Sequence, residues 1–176
     1  LKIPFKKSKT DIECAGRALQ MILSYFNEEH SIKDLERLMK TLKSGLTWTI
    51  GIAVAAKKLK FPVKIISITN FSHNKDNIEY YKKNSGDKGL MVLRSLIKKS
   101  KSLRIVLEKR NISLKELLEY VTKDSVPIVL VNWFSLAKVK GYQGHFLTIS
   151  GYDKKYVYVH NPGMASASPY LKLKKR

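Results

Sequence analysis

The sequence predicts an α+β fold, with helices gathered early and an antiparallel sheet at the end. Two patterns carry that prediction. Apolar residues recur at helical spacing between Cys14 and Leu59, and three β-branched and aromatic runs, PIVLVNW, HFLTISGY and YVYVHNP, follow one another late in the chain. A third observation sets the domain count. The chain has 176 residues, 44% of them hydrophobic, with no internal repeat and no linker rich in Gly, Pro or Ser, so one domain spanning 1–176 is expected.

The segment Cys14–Phe26 puts Ala18, Leu19, Ile22, Tyr25 and Phe26 on one helical face, with Asp11 upstream as a cap. A second helix starts at the capping residue Ser31, carries Leu35, Leu38, Met39 and Leu42, and ends at Gly45. Trp48–Leu59 reads as a third helix with Trp48 in the core, and PVKIISI then alternates into a strand. Asn70–Lys88 is polar and weakly patterned and reads as loops or an insertion. Leu90–Ile97 reads as helix and LRIVL as a short strand. Ser113 and Glu116 form a capping box before Leu117, Leu118 and Val121. The YDKK turn makes HFLTISGY and YVYVHNP an antiparallel pair, and Trp133 ends the strand before them. Beyond Gly163 no element is predicted.

Net charge is +20, with 34 Lys and Arg against 14 Asp and Glu. A nucleic-acid binder has this balance, yet the lysines are spread from Lys2 to Lys175. No helix-turn-helix, stacking platform or zinc finger organises them in the sequence, and Lys far outnumbers the Arg preferred for base and phosphate recognition. The charge therefore reads as solvated surface, and no nucleic-acid partner is expected. The single cysteine excludes an internal disulfide framework and a Cys-based zinc site. No metal and no cofactor are expected. The longest apolar run, PIVLVNWF, falls well short of the ~18 residues of a membrane span.

A lone cysteine is most often a small apolar side chain packed in a core. Cys14 has a second reading, because it opens a helix and is followed by the small residues Ala15 and Gly16. A helix N-terminus, a nearby cation or a histidine can lower a thiol pKa, and the first free N–H groups of the helix can hold an oxyanion. Of the four histidines, His30 and His73 read as solvated. His145 follows Gly144 at the start of one strand, and His160 with Asn161 ends the next. Pairing those strands through the YDKK turn brings an imidazole and an amide to one sheet edge, the grouping a Cys–His pair needs.

Written together, PFKKSKTDIECAGRALQMILSYF and GHFLTISGYDKKYVYVHNPG resemble the double-glycine leader peptidases, papain-like cysteine peptidases that process bacteriocin leaders at export transporters. The resemblance implies a papain-like fold, an N-terminal helical half packed on a C-terminal antiparallel sheet. By position it implies Cys14 as nucleophile, His145 as general base and then general acid, and Asn161, where the family usually has Asp, as the group that orients the imidazole. The backbone of Cys14 and Ala15 would form the oxyanion hole. Ser8 stands where the family carries a Gln that completes this hole, and its side chain is shorter; loss of one such donor costs about 100- to 1000-fold in rate. Ala15 replaces the family's Gly.

The expectation that follows is a thiol protease, a hydrolase cleaving a peptide or amide bond. Two alternatives stand beside it: a weak or inactive peptidase-like domain that binds a polypeptide, and a basic protein with an anionic partner. Trp133, Gln143 and Gly144 are candidate substrate contacts. A polypeptide substrate, acidic by charge complementarity, is expected. The compartment favoured is the cytoplasm, with membrane association only through a partner transporter. Oligomeric state is unread.

Overall fold

The computed structural model describes residues 1–10, 12–68, 78–163 and 167–175, without the side chains of 78–82. The expected Asp11 cap and the loop reading of His73 lie outside the described residues. The chain divides into two compact units, Leu1–Ile32 with Ser113–Arg176, and Lys33–Ile112. It is an α+β protein, as the sequence predicts.

In the first unit, α1 (Cys14–Tyr25) is followed late in the chain by α5 (Leu114–Glu119), a short α6 (Trp133–Leu136) and four strands. These are β3 (Ile128–Asn132), β4 (Gly144–Tyr152), β5 (Tyr156–Asn161) and β6 (Ser168–Lys174), an antiparallel sheet in the order β3-β4-β5-β6. The β4–β5 turn closes where it was expected. Asp153 Oδ1 accepts the N–H of Lys155 at 2.7 Å and of Tyr156 at 2.8 Å, an Asx turn that sets the register. Period-2 alternation sends Leu147, Ile149, Val157, Val159, Leu171 and Leu173 to one face, where they pack with Leu118 of α5. Burying a side chain such as the fully enclosed Leu147 contributes about 1.5 to 3 kcal/mol.

Against the other face lies α1, whose Ala18 carbonyl accepts a hydrogen bond from Thr148 Oγ1 of β4 at 3.4 Å. Ala15, Gly16 and Ala18 are all buried, and these small side chains let the helix come close to the strand. Ser113 caps α5 as the capping box predicts, its Oγ accepting the Glu116 N–H at 3.1 Å. Ser113→Ala should therefore cost about 1 kcal/mol in chemical denaturation; an unchanged midpoint would contradict the cap.

The second unit holds α2 (Ile32–Met39), α3 (Thr49–Lys58), β1 (Lys64–Ser67), α4 (Ile78–Ser102) and β2 (Val106–Lys109). Strands β1 and β2 pair in parallel, and Trp48, Ile50, Val54, Ile65, Leu93, Leu96 and Ile105 form the core, with Trp48 buried as expected.

The structure differs from the sequence reading at five places. Residues 78–88, read as loop, are helical, because α4 runs on through the polar stretch and breaks only at Gly86. There φ is 52° and ψ −166°, a conformation open to Gly alone. The second helix ends at Met39, short of Gly45, since Lys40 turns to positive φ. Strand β2 lies later than LRIVL. Trp133 opens α6 where a strand end was expected, because the Asn132 side chain accepts the Phe134 N–H at 3.2 Å and caps a helical turn. Finally, β6 was not foreseen.

Candidate functional site

The site is built in the first unit, where β4 and β5 present His145 and Asn161 from neighbouring strands. His145 is fully buried, and its Nε2 lies 2.7 Å from Asn161 Oδ1. Which atom of Asn161 faces the ring is settled by a second partner. The Gly163 N–H also points at that atom, at 3.3 Å, and an N–H can be received only by the amide oxygen. Nε2 therefore carries a proton and donates it to Asn161. In the neutral ring Nδ1 is then a free base, and Nδ1 is buried with no hydrogen-bond partner among the described residues.

Burial holds the His145 pKa below its ordinary value of 6.5, and the Asn161 bond offsets only part of that. The ring is thus neutral at pH 7. Trp133 stands edge-on to it, ring centroids 5.0 Å apart at 68°. His160, also fully buried, is a structural counterpart. Its Nε2–H donates to the Ile3 carbonyl at 2.9 Å and its Nδ1 accepts the Tyr170 N–H at 3.1 Å, so both ring nitrogens are satisfied in the neutral form.

Burial is the main cause that lowers the pKa of His160 as well. The two histidines make stability pH-dependent with a definite sign. Unfolded, each binds a proton near pH ~6.5; folded, each resists it. Their contribution is complete above that pH and is lost as pH falls toward the depressed folded values, by at most ~1.4 kcal/mol per pH unit for each ring. Denaturation midpoints should be level between pH 7 and 8 and decline from 6.5 to 5. A level profile to pH 5 would contradict both neutral rings.

Cys14 opens α1 and is partly exposed. Burial pushes its thiol pKa up, and backbone hydrogen bonds from Phe146, Ala15 and Cys14 itself compensate in part. The bond to Phe146, the residue after His145, brings Cys14 alongside β4. The helix N-terminus that suggested a lowered thiol pKa is outweighed by desolvation, so Cys14 is a neutral thiol. Glu13, at the N-cap position, makes no side-chain cap. Its carboxylate accepts instead from the Lys9 backbone N–H at 2.9 Å and from Arg17 Nε and Nη2 at 3.1 and 2.9 Å. The first turn of α1 lacks an acidic side chain.

Ser8 lies at the same end. Its N–H donates to the Pro162 carbonyl at 2.6 Å, and its side chain sits so close to Gly163 that a Cβ there would meet Ser8 Oγ at 3.2 Å. Ser8 Oγ is buried and unpartnered among the described residues. Gln143 and Gly144 sit where β3 and β4 meet. Gln143 N–H donates to Asn132 Oδ1 at 3.0 Å, and the Gln143 carbonyl accepts the Trp133 N–H at 2.7 Å. Asn132, which the sequence reading passed over, joins this corner together, also donating to Ser135 Oγ at 2.8 Å and the Gly141 carbonyl at 3.0 Å. An Asn at a strand end just before an aromatic pair was the available signal. Gly163, which fixes the orientation of Asn161, was also not singled out.

The family model for guanylylate cyclase matches residues 3–175. The chain belongs to the guanylylate cyclase family. That match runs through both compact units, whereas the resemblance to the double-glycine leader peptidases rested on two motifs near the ends of the chain. The guanylylate cyclase family is not related to those peptidases, and no peptidase family matches. The expectation of a cysteine peptidase is overturned, and with it the hydrolase and thiol-protease class and the peptidase-like binding domain. No curated protein and no solved structure matches the chain.

Proposed function

We propose that this guanylylate cyclase family member acts on a guanine nucleoside triphosphate and that His145 is the base of the reaction. In the step proposed, Nδ1 of His145 takes the proton of the ribose 3′-hydroxyl as its oxygen bonds to the α-phosphorus. The bond from that phosphorus to the pyrophosphate oxygen breaks, and pyrophosphate leaves with the electron pair. The observation that carries the reading is the neutral imidazole, protonated at Nε2 by its bond to Asn161 and unpartnered at Nδ1. A base is most effective when its pKa lies near the working pH and its lone pair is free.

Asn161 is the positioning residue, and Cys14 lines the site as a neutral thiol. The N-terminal end of the α1 dipole supports an anionic substrate, since it favours negative charge there. Ser8, whose N–H donates to the Pro162 carbonyl, is flanked in the chain by the exposed Lys7 and Lys9. Among the described residues no group of three His, Cys, Asp or Glu stands together to hold a metal ion. A divalent ion would arrive with the triphosphate as part of the substrate.

For the finer architecture we propose a papain-like frame, in which a helix opened by Cys14 packs on β4 while His145 and Asn161 project from paired strands. Such a frame does not dictate the activity it hosts. The test of function is product analysis. Incubation of the protein with magnesium and GTP should yield cyclic GMP and pyrophosphate in equal amounts, and far less with His145→Gln. Absence of the cyclic product, or equal yield from the variant, would overturn the reading.

A further inference from the structure

Tyr156, Tyr158, Lys172 and Lys174 share one face of β5 and β6 near the β4–β5 turn. Tyr156 and Tyr158 are two residues apart on β5, so their rings leave the same face about 7 Å apart. Directly across the ladder stand Lys174 opposite Tyr156 and Lys172 opposite Tyr158, both exposed. Lys172 Nζ lies 6.0 Å from the centroid of each of these two rings. Tyr152, directly across the ladder from Val157, belongs to the opposite face, and so does Lys175, whose Nζ lies 4.8 Å from the Tyr152 ring centroid. From 144 to 175 the sequence holds Lys154, Lys155, Lys172, Lys174 and Lys175 against one acid, Asp153, which receives the Tyr158 hydroxyl and three of whose contacts lie within the β4–β5 turn and β5.

We propose that this face binds single-stranded nucleic acid, with bases stacking on the tyrosine rings and the lysines taking the phosphates. Base stacking on aromatic rings and a basic track for the backbone are the two requirements of such a site. At 6.0 Å the Lys172 ammonium is at the outer limit of attraction to a ring, so it can turn to a phosphate and leave the rings to the bases. A lipid surface fits less well. It asks for apolar side chains to insert, and here Leu171, Leu173, Val157 and Val159 all turn to the opposite face and into the core.

Pairing of β6 with a second copy fits less well too. Edge lysines oppose it, and so does the bulge at Tyr170, where φ is 51° and the N–H goes to His160 instead of a ladder. The sequence alone shows no stacking platform because these rings and lysines alternate with core residues and meet only through strand pairing. This inference stands on the sheet face and does not depend on the reaction proposed for His145.

The experiment is fluorescence anisotropy with a labelled twelve-nucleotide oligo-dT, the matching duplex, and phosphatidylserine vesicles, at several salt concentrations. The single strand should bind more tightly than the duplex. Tyr156→Leu, which keeps an apolar side chain but removes the ring, should weaken single-strand binding by about five- to a hundredfold. Tyr156→Phe should restore it. The pair Lys172→Gln and Lys174→Gln should lower the salt slope by about 1.4, the share of two phosphates on a single strand. The proposal fails if the duplex binds as well as the single strand, if binding is the same in these variants, or if only the vesicles bind. Far-UV circular dichroism of each variant separates lost binding from lost folding: a Tyr156→Leu variant that is folded and binds like wild type also overturns it.

Discussion

His145→Gln is expected to lower turnover of the guanine nucleotide by about 100- to 10,000-fold, the range that loss of a positioned general base covers. The substitution isolates the base because Gln keeps much of the side-chain size and can still donate an N–H toward Asn161 Oδ1, which lies 2.7 Å from the native ring. It cannot accept a proton as Nδ1 does. Initial rates across pH 5 to 8 give the accompanying signature. In wild type the rate should fall on the acid side, with a midpoint below 6.5 because burial holds the ring pKa down. Residual activity of the variant should lack that limb. A variant as fast as wild type, or a wild-type limb centred above 6.5, would remove His145 from the role.

The second large effect concerns the fold, and its sign is opposite to helix propensity. Gly51 lies inside α3, where Ala is ordinarily favoured over Gly by about 1 kcal/mol. A Cβ at Gly51, however, would meet the Met39 carbonyl oxygen, a backbone atom that cannot swing aside, and Leu96 Cδ1 stands 3.5 Å away on the same side. Helix α3 would have to back away from the end of α2, opening the packing around Ile50 and Leu96, both buried. Overpacking of this kind costs about 1 to 3 kcal/mol, toward the upper end where backbone must move. Gly51→Ala should therefore lower Tm by about 5 °C or more in a scanning calorimeter. An unchanged or raised Tm would show that the α2–α3 approach is looser than described.

Local patterns made some of the molecule readable in the sequence. The Asp153 turn and the Ser113 cap depend on residues close in the chain, and each is found where it was expected. Helix α1 is found too, but Ile22, Tyr25 and Phe26 of its expected apolar face are only half-buried, while Arg17, Gln20, Met21 and Leu23 are buried. Strand β6 was missed although SPYLKLK alternates. Its lysines mask an apolar face of only Leu171 and Leu173, and its pairing with β5 is interrupted by the Tyr170 bulge. The polar start of α4 lacks an apolar stripe in sequence, and its break at Gly86 resembles a loop signal.

The site divides in the same way. That His145 and Asn161 meet follows from strand pairing, and strand pairing was legible from the turn. The state of Cys14 was not legible. Sequence places it at a helix N-terminus, which lowers a thiol pKa, while the fold buries it enough to raise that pKa. Nor could two short end motifs identify the family, because they cover only the segments that meet at the site. The match over 3–175 draws on the second unit as well.

The central claim is a neutral His145 with its proton on Nε2 and a free lone pair on Nδ1. Long-range proton–nitrogen NMR spectra of the histidine rings test it most directly, with His145→Gln identifying the signal that belongs to this ring. The account predicts, at pH 7, one protonated nitrogen, Nε2, an unprotonated Nδ1, and a titration midpoint below 6.5. A ring protonated on both nitrogens at pH 7, or a neutral ring with its proton on Nδ1, would contradict it.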